Sequence, residues 1–595
     1  MIRQKREYPT KVLLKRFVPY YGKHKKTLIL DLICAALTTV CEMVLPLIMR
    51  YITNVGLYDL ASLTVSTVLK LGFLYFILRI IDSIANFYMA DVGHVMGAKI
   101  ETSMRQDAYE HLHKLSNTYF NNTKVGQIMG RITNDLFDVT EFAHHCPEEF
   151  FIAALKAGVS FVILLNTNVA LTAIIFIIIP IMIITSIILN RRMRTAFSKQ
   201  RNQIGELNAR IEDSLLGQKV VKAFTNEEME TQKFGEDNSR FLEIKEETYR
   251  YMAAFHTTTR IFDGIMYLAV VIAGGIFMIK GLILPGDLVA YMLYVSTLIA
   301  TIRRIIEFAE QFQRGMTGIE RFLQIMDADV EIFDLPDAIE MKEPDGDIEF
   351  KNVSFTYTDD KNTIFEHLNL HIRPGERVAI VGPSGGGKTT LCNLIPRFYD
   401  VSDGTILIDG EDIRNFTLKS LRENIGIVQQ DVYLFSGSVY ENIVYGRPEA
   451  TIEEVKAAAK RAGADAFINE LPNGYDTYVG ERGVKLSGGQ KQRLSIARAI
   501  AKQPKVFIFD DSFSALDLKT DAALRKALNA KVGNSTVIIV AQRISTILHA
   551  DQILVMEDGK IVGKGTHEQL MDSCEVYQQI ASSQLSAKEL GKQEV

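Results

Sequence analysis

The sequence predicts two domains of different class. An all-α polytopic transmembrane domain of six helices with long cytoplasmic extensions comes first, and an α/β domain organised around a phosphate-binding loop follows. Three observations predict this. A chain of 595 residues exceeds what one hydrophobic core serves. The first 320 residues hold long apolar runs that the remainder lacks. From about residue 345 the pattern turns to short strands, Gly-rich turns and amphipathic helices. The domains are therefore placed at 1–330 and 345–585.

Six apolar segments approach or exceed the roughly 20 helical residues that a bilayer core of about 30 Å requires. They lie near 27–49, 63–92, 149–166, 169–190, 260–280 and 286–306. LTAIIFIIIPIMIITSIIL, in the fourth, is the clearest, and only Thr167 and Asn168 separate it from the third. Nine Lys and Arg before residue 27 hold the N-terminus in the cytoplasm and argue against a cleavable leader. The loop 51–63 has neither residue and lies outside. An even number of spans returns the C-terminal domain to the cytoplasm. The polar stretches 93–148 and 191–259 keep helical periodicity without Gly/Pro clusters, so they read as spans prolonged into levers. Their turns are expected near 117–126 and 211–217.

Glu42, Arg79, Asp82, Lys156 and Asp263 fall inside the expected spans. Ionisable groups there line a substrate path or neutralise one another between helices. The residues support both readings equally.

Composition excludes several classes. Apolar residues make up 47% and the net charge is −5, with no basic excess for nucleic acid. Cys34, Cys41, Cys146, Cys392 and Cys574 are scattered without metal-ligand spacing and read as reduced thiols.

In ERVAIVGPSGGGKTTL a strand, Val378 to Val381, leads into Gly382, Pro383, Ser384, Gly385, Gly386, Gly387, Lys388 and Thr389, with Thr390 opening an apolar helical pattern. This fits GxxxxGK[ST], in which backbone N–H groups and a helix N-terminus wrap the phosphates of ATP. Lys388 would reach the β- and γ-phosphates, and the Thr389 hydroxyl would ligate Mg²⁺. VFIFDD (506–511) is a buried strand ending in two carboxylates, and Asp510 suits the Mg²⁺ side of such a site. LSGGQKQRLSIARAI (486–500) adds a second phosphate device, with Ser487, Gly488, Gly489 and Gln490 at a helix start. A chain that already owns one phosphate loop uses a second most economically on the nucleotide of a partner chain.

These motifs, in this order, resemble the ABC transporter family, specifically exporters in which a six-span domain is fused to one nucleotide-binding domain. The resemblance covers nearly the whole chain. It implies that Tyr357 stacks on adenine and that Gln430 links Mg²⁺ to the membrane domain. It further implies that YVGERG (478–483) touches the levers, that SALD (514–517), with Asp517, is the D-loop, and that the two lever turns are coupling helices.

Two positions depart from the family pattern. Asp511 stands where the family usually has the glutamate that polarises the attacking water, and Gln542 where it usually has histidine. Asp511 is shorter by one methylene, which withdraws the carboxylate by about 1 Å, and misplacement on that scale can cost about 10²-fold in rate. Glutamine donates a hydrogen bond but carries no charge. Together they imply a site that binds ATP but hydrolyses it poorly. The intact LSGGQ serves the opposite nucleotide, so the pattern resembles one subunit of heterodimeric bacterial multidrug exporters, beside a second half-transporter that carries Glu and His. The expected cargo is a drug-like or lipid-like amphiphile moved out across the inner (cytoplasmic) membrane, in contact with membrane lipid. The fusion of both domains in one chain disfavours import. A slow homodimeric exporter, and an ATP-gated regulatory or channel-like protein, fit the same two departures.

Overall fold

The computed structural model describes residues 8–357, 362–480, 483, 485–513 and 535–584. Two compact units emerge. One comprises residues 1–113 and 125–328, the other 114–124 and 329–595.

Among its described residues the first unit is helices joined by short turns. Its long helices are Lys25–Tyr58, Val65–Tyr88, His94–Leu112, Leu136–Thr167, Val169–Leu216, Glu227–Ile279 and Pro285–Met326. Among the described residues, five helices are long and apolar enough to cross a membrane: Thr10–Tyr58, Val125–Thr167, Val169–Leu216, Glu227–Ile279 and Pro285–Met326. The segment expected at 63–92 is helical as well, over Val65–Tyr88, but carries Lys70, Arg79 and Asp82 and is not one of the five. At 1.5 Å per residue, the 48-residue Val169–Leu216 and 53-residue Glu227–Ile279 helices run roughly 70–80 Å, more than twice a bilayer core. Each is therefore span and lever in one piece.

Apolar side chains cover the outside of these helices. Ile29, Phe76, Phe87, Ile177, Ile184, Leu268 and Ile272 are all exposed. A surface of this kind in water would be an aggregation site; facing lipid it is in its proper solvent. Inside, Tyr291 and Tyr294 are fully buried and aim their hydroxyls at backbone oxygens: Tyr291 at Leu164 (2.8 Å) and Asn168 (2.9 Å), Tyr294 at Met43 (2.8 Å). Burial of a phenol requires such a partner. The tight hairpin expected at Thr167–Asn168 is built by Asn168 itself. It closes Leu136–Thr167 and then caps the next helix, its side chain accepting from Leu171 N at 3.0 Å.

The first lever turn falls where the sequence places it, with a short helix at Asn117–Asn122. Its residues belong to the second unit, held by Ser116 Oγ donating to Glu331 Oε2 (2.6 Å) and Asn121 Nδ2 donating to Tyr399 Oη (3.2 Å). The second turn lies later than the 211–217 expected. The helix runs to Leu216, a further helical turn spans Gln218–Ala223, and reversal comes at Thr225, with φ +53, and Asn226. The residues after Gly217 stay helical for another six, which carries the reversal past the expected position.

Among its described residues the second unit holds two sheets. In chain order its strands are β1 (Ile348–Thr356), β2 (Thr363–Ile372), β3 (Arg377–Val381), β4 (Asp403–Ile408), β5 (Glu411–Asp412), β6 (Ile425–Val428), β7 (Val506–Asp510), β8 (Thr536–Val540), β9 (Gln552–Glu557) and β10 (Lys560–Gly565). β2-β1-β4-β5 form an antiparallel sheet. The larger sheet has the order β10-β9-β3-β8-β7-β6, parallel from β9 to β6. β3 and β7 are near-continuous apolar runs because a parallel sheet is covered on both faces. β8 lies between them, so the phosphate loop after β3 and the carboxylates ending β7 emerge at the same edge, the carboxyl end of the strands, where such sheets bind ligands.

Candidate functional site

The phosphate loop takes its shape from glycine. Gly382, Gly385 and Gly387 have φ of +147°, +86° and +90°. A Cβ on Gly382 would stand 1.9 Å from the carbonyl oxygen of Met556, so no other residue fits there. The helix Lys388–Leu394 follows directly, its N-terminus beneath the loop. Pro383, Ser384 and Gly385 are exposed, Gly386 is buried, and Thr390 is buried against the platform described below. Lys388 Nζ donates back to the carbonyls of Gly382 (3.0 Å) and Pro383 (2.6 Å), so the cation sits over the loop that would receive phosphate.

Thr389 Oγ1 donates to Asp510 Oδ1 at 3.1 Å, which brings together the hydroxyl and carboxylate expected to hold Mg²⁺. Both are hard oxygen donors of the kind Mg²⁺ takes one or two of, beside substrate phosphates. Burial raises the Asp510 carboxyl above its ordinary 3.8, against the opposing pull of the Thr389 hydrogen bond and the Lys388 charge. Asp511 is raised as well, by burial and then by the charge of Asp510, with Lys388 and Arg543 opposing. Lys388 moves down through burial, restrained by both carboxylates. The three form one electrostatic unit whose charges are costly until matched.

The two departures from the family pattern touch each other. Gln542 Nε2 donates to Asp511 Oδ2 at 2.7 Å. Asp511 reaches this position through a left-handed backbone, φ +46°, with its N–H donating to Val540 O at 3.0 Å. Aspartate tolerates that conformation better than most residues. Ser512 Oγ fixes the turn by donating to Val428 O at the end of β6 (2.8 Å). Sequence reasoning missed Gln584, in the helix Glu575–Gln584. Its Nε2 donates to Gln542 O (2.8 Å) and its Oε1 accepts from Ile544 N (2.9 Å), clamping the backbone that presents Gln542. Only the tertiary fold brings residue 584 there.

Gln430 is exposed, two residues beyond β6, whose Val428 pairs with Phe509 of β7. It therefore follows the same sheet edge as Asp510 and Asp511. Tyr357 packs edge-on against Phe355 (4.8 Å) and Tyr399 (5.2 Å), with its hydroxyl 3.0 Å from Thr390 Oγ1. Tyr399 is the residue that Asn121 of the first lever turn contacts. The expected adenine platform and the expected coupling helix thus share one aromatic neighbour, a link that no local motif announces.

Ser487 caps the helix Gly488–Lys502 in a reciprocal box: its Oγ accepts from Gln490 N (3.3 Å), and Gln490 Oε1 accepts from Ser487 N (2.9 Å). Ser487 and Gly488 are exposed, so this helix N-terminus is presented outward with Gly489 and Gln490 behind it. Asp517 lies outside the described residues, as do Glu481 and Arg482 of YVGERG.

All five ionisable residues expected within the spans have charge partners. Lys156 Nζ meets Glu42 Oε2 at 2.5 Å, Arg79 meets Asp82 at 2.8 Å one helical turn apart, and Asp263 pairs with Arg303. Each of them therefore has the neutralising partner that one of the two readings requires.

Residues 28–302 match the family described as ABC transporter transmembrane region, and residues 365–514 the one described as ABC transporter. The chain is 39% identical to an uncharacterized ABC transporter ATP-binding protein of Bacillus subtilis, YwjA, over 96% of this chain and 99% of that one. It is 36% identical to a putative multidrug export ATP-binding/permease protein of Staphylococcus aureus, over 96% and 100%. Among solved structures, a bacterial Atm1-family ABC exporter with ATP bound superposes with a TM-score of 0.80 at 27% identity, covering 96% of this chain and 99% of that one.

Proposed function

Because the chain belongs to the ABC transporter family, as an exporter-type half-transporter with its membrane and ATPase domains fused, we propose that it is the degenerate-site subunit of a heterodimeric ATP-driven exporter of amphiphilic small molecules. ABC exporters act as dimers, and their ATPase domains couple ATP hydrolysis to transport. The finer reading rests on one observation: the position that would activate water carries Asp511, drawn onto the Gln542 amide at 2.7 Å. A carboxylate so held is set back from the attacking water by one methylene, and its partner cannot carry the positive charge that would develop usefully beside the γ-phosphate.

In this proposal Val65–Tyr88 is the sixth span, both termini are cytoplasmic, and the membrane is the bacterial inner membrane. Tyr357 stacks on adenine. The loop from Gly382 to Thr390 encloses the phosphates, with Lys388 swinging from its own loop carbonyls to the β- and γ-oxygens. Thr389, Asp510 and Gln430 would hold Mg²⁺, which when bound offsets phosphate charge. Ser487, Gly488, Gly489 and Gln490 close on the partner's ATP, whose site the partner completes with its own Glu and His. Closure of the two ATPase domains is carried by the Asn117–Asn122 helix and the 217–226 turn into the long helices, which alternate the spans between inward- and outward-facing states. The printed name of the Staphylococcus aureus relative, a putative multidrug export protein, supports a drug-like cargo.

The test is ATPase activity in reconstituted vesicles with and without amphiphilic drugs, alongside ion current. Drug-stimulated turnover without current supports the exporter. Current gated by ATP without matching turnover overturns it in favour of a channel-like protein.

A further inference from the structure

Where the helices Lys25–Tyr58, His94–Leu112 and Leu136–Thr167 converge, a cluster of nitrogen and oxygen donors lies in the membrane unit, with no part in the ATP site. Asp31 is fully buried, and among the described residues neither of its carboxylate oxygens has a hydrogen-bond partner. His144 is 2% exposed with its Nδ1 unpartnered, and Glu148 is 6% exposed. One ligand atom from each of these three lies within 4.8 Å of the others. His94 packs at the exposed edge, its ring 4.3 Å from that of His144 and edge-on to that of His145 at 5.0 Å.

Ordinary contacts do not satisfy this cluster. His144 Nε2 and Glu148 Oε2 are 3.6 Å apart, beyond hydrogen-bond range. A buried carboxylate with two idle oxygens, brought by a second helix close to another buried acid, is among the costlier arrangements a fold can retain. The backbone has made room for it. Residues Met89–Gly93 form a π-helical turn, a distortion frequent at functional sites, and Gly93 ends it. A Cβ on Gly93 would fall 2.7 Å from His144 Nδ1 and 2.8 Å from Asp31 Oδ1, so only glycine lets these groups meet.

We propose that Asp31, His144 and Glu148, with His94 closing the exposed side, bind one divalent first-row transition-metal ion of the Zn²⁺ class. Imidazole nitrogen with carboxylate oxygen is a donor set that suits such ions, and four donors suit a tetrahedral one. Bonds of about 2.0–2.2 Å place tetrahedral ligand atoms roughly 3.4 Å apart, so side-chain rotation of an ångström or so closes the site. The ion would staple three helices near the cytoplasmic ends of the first and third expected spans. Nothing in this depends on which substrate the protein exports or on its partner.

The test uses the full-length protein in lipid nanodiscs, stripped with chelator and then dialysed against buffered free Zn²⁺, with bound metal counted by elemental analysis. One Zn²⁺ per chain is expected in the wild type. Asp31→Asn and Glu148→Gln keep the side-chain shapes and should each weaken binding at least tenfold, while Mg²⁺-ATP binding, as the folding control, stays intact. No retained ion in the wild type overturns the proposal, as does unchanged affinity in both carboxamide variants. Should either fail to fold, His94→Ala decides on an exposed residue. Loading with Co²⁺ must give a visible spectrum that this substitution alters, and an unaltered spectrum overturns the site.

Discussion

If the proposed degeneracy holds, restoring the two departed residues should speed hydrolysis at this chain's own site. In the Asp511→Glu, Gln542→His double variant, the added methylene advances the carboxylate by about 1 Å, a displacement that can carry about 10²-fold in rate. That corresponds to about 2.7 kcal/mol of barrier at 1.36 kcal/mol per decade. The existing Gln542–Asp511 contact is 2.7 Å, so a longer acid beside an unchanged glutamine would be crowded, and the imidazole must be introduced with it. Glutamate is less at ease than aspartate in the left-handed backbone at φ +46°. That strain is present in ground and transition states alike, so it lowers stability and leaves the rate gain in place. The assay is single-turnover release of γ-phosphate at saturating ATP, in the purified transporter with any partner's own site silenced. Lys388→Ala serves as the inactive baseline. A rise of less than threefold, with ATP affinity unchanged, would refute the reasoning, because it would mean that carboxylate position does not limit this site.

Three further outcomes follow from the geometry. Asp510→Asn should abolish Mg²⁺-dependent ATP binding yet stabilise the nucleotide-free ATPase domain. Because burial raises the Asp510 pKa above its ordinary 3.8, the native state holds that proton more tightly than the unfolded chain, so wild-type stability falls as pH rises from 3.8 through the raised value. The variant lacks that slope, and near neutral pH its Tm should be higher by about 2–4 °C for each ~1 kcal/mol relieved, read by thermal unfolding across pH. Tyr357→Ala should weaken ATP by about 1–3 kcal/mol, the range for an aromatic stacked on a base, whereas Tyr357→Phe loses only the Thr390 contact and should stay within threefold; equilibrium binding separates them. If Glu42 and Lys156 serve only to neutralise each other, exchanging them (Glu42→Lys with Lys156→Glu) should restore the thermal stability that Lys156→Ala removes, and drug transport by the exchanged variant should match the wild type.

The α/β domain was legible because its motifs are local. GPSGGGKT needs its glycines at fixed positions, and the structure shows why at Gly382, where Met556 O leaves no room for a Cβ. VFIFDD is as apolar as a strand covered on both faces must be. The long helices were legible for the same reason, since a span announces itself by hydropathy alone. Three features were not. The second lever turn lies later than 211–217 because the chain stays helical through Gln218–Ala223 and reverses only at Thr225 and Asn226. The pairing of Asp511 with Gln542, and the clamp from Gln584, join residues 31 and 42 positions apart through the sheet, and no spacing rule reports them. The cluster around Asp31 draws on helices more than a hundred residues apart. Its one local trace was HHCPEE (144–149), which sets His144 and Glu148 one helical turn apart.

Removal of the carboxylate by Asp511→Ala, with drug-stimulated ATP turnover measured in the transporter as it is isolated from native membranes, bears most directly on the central claim. If Asp511 belongs to a degenerate site beside a competent partner, most of the turnover survives, and a second half-transporter with Glu and His at the matching positions co-purifies. Turnover falling to the level of Lys388→Ala, in a complex of this chain with itself, would contradict the account and make Asp511 the working catalytic carboxylate of a homodimer.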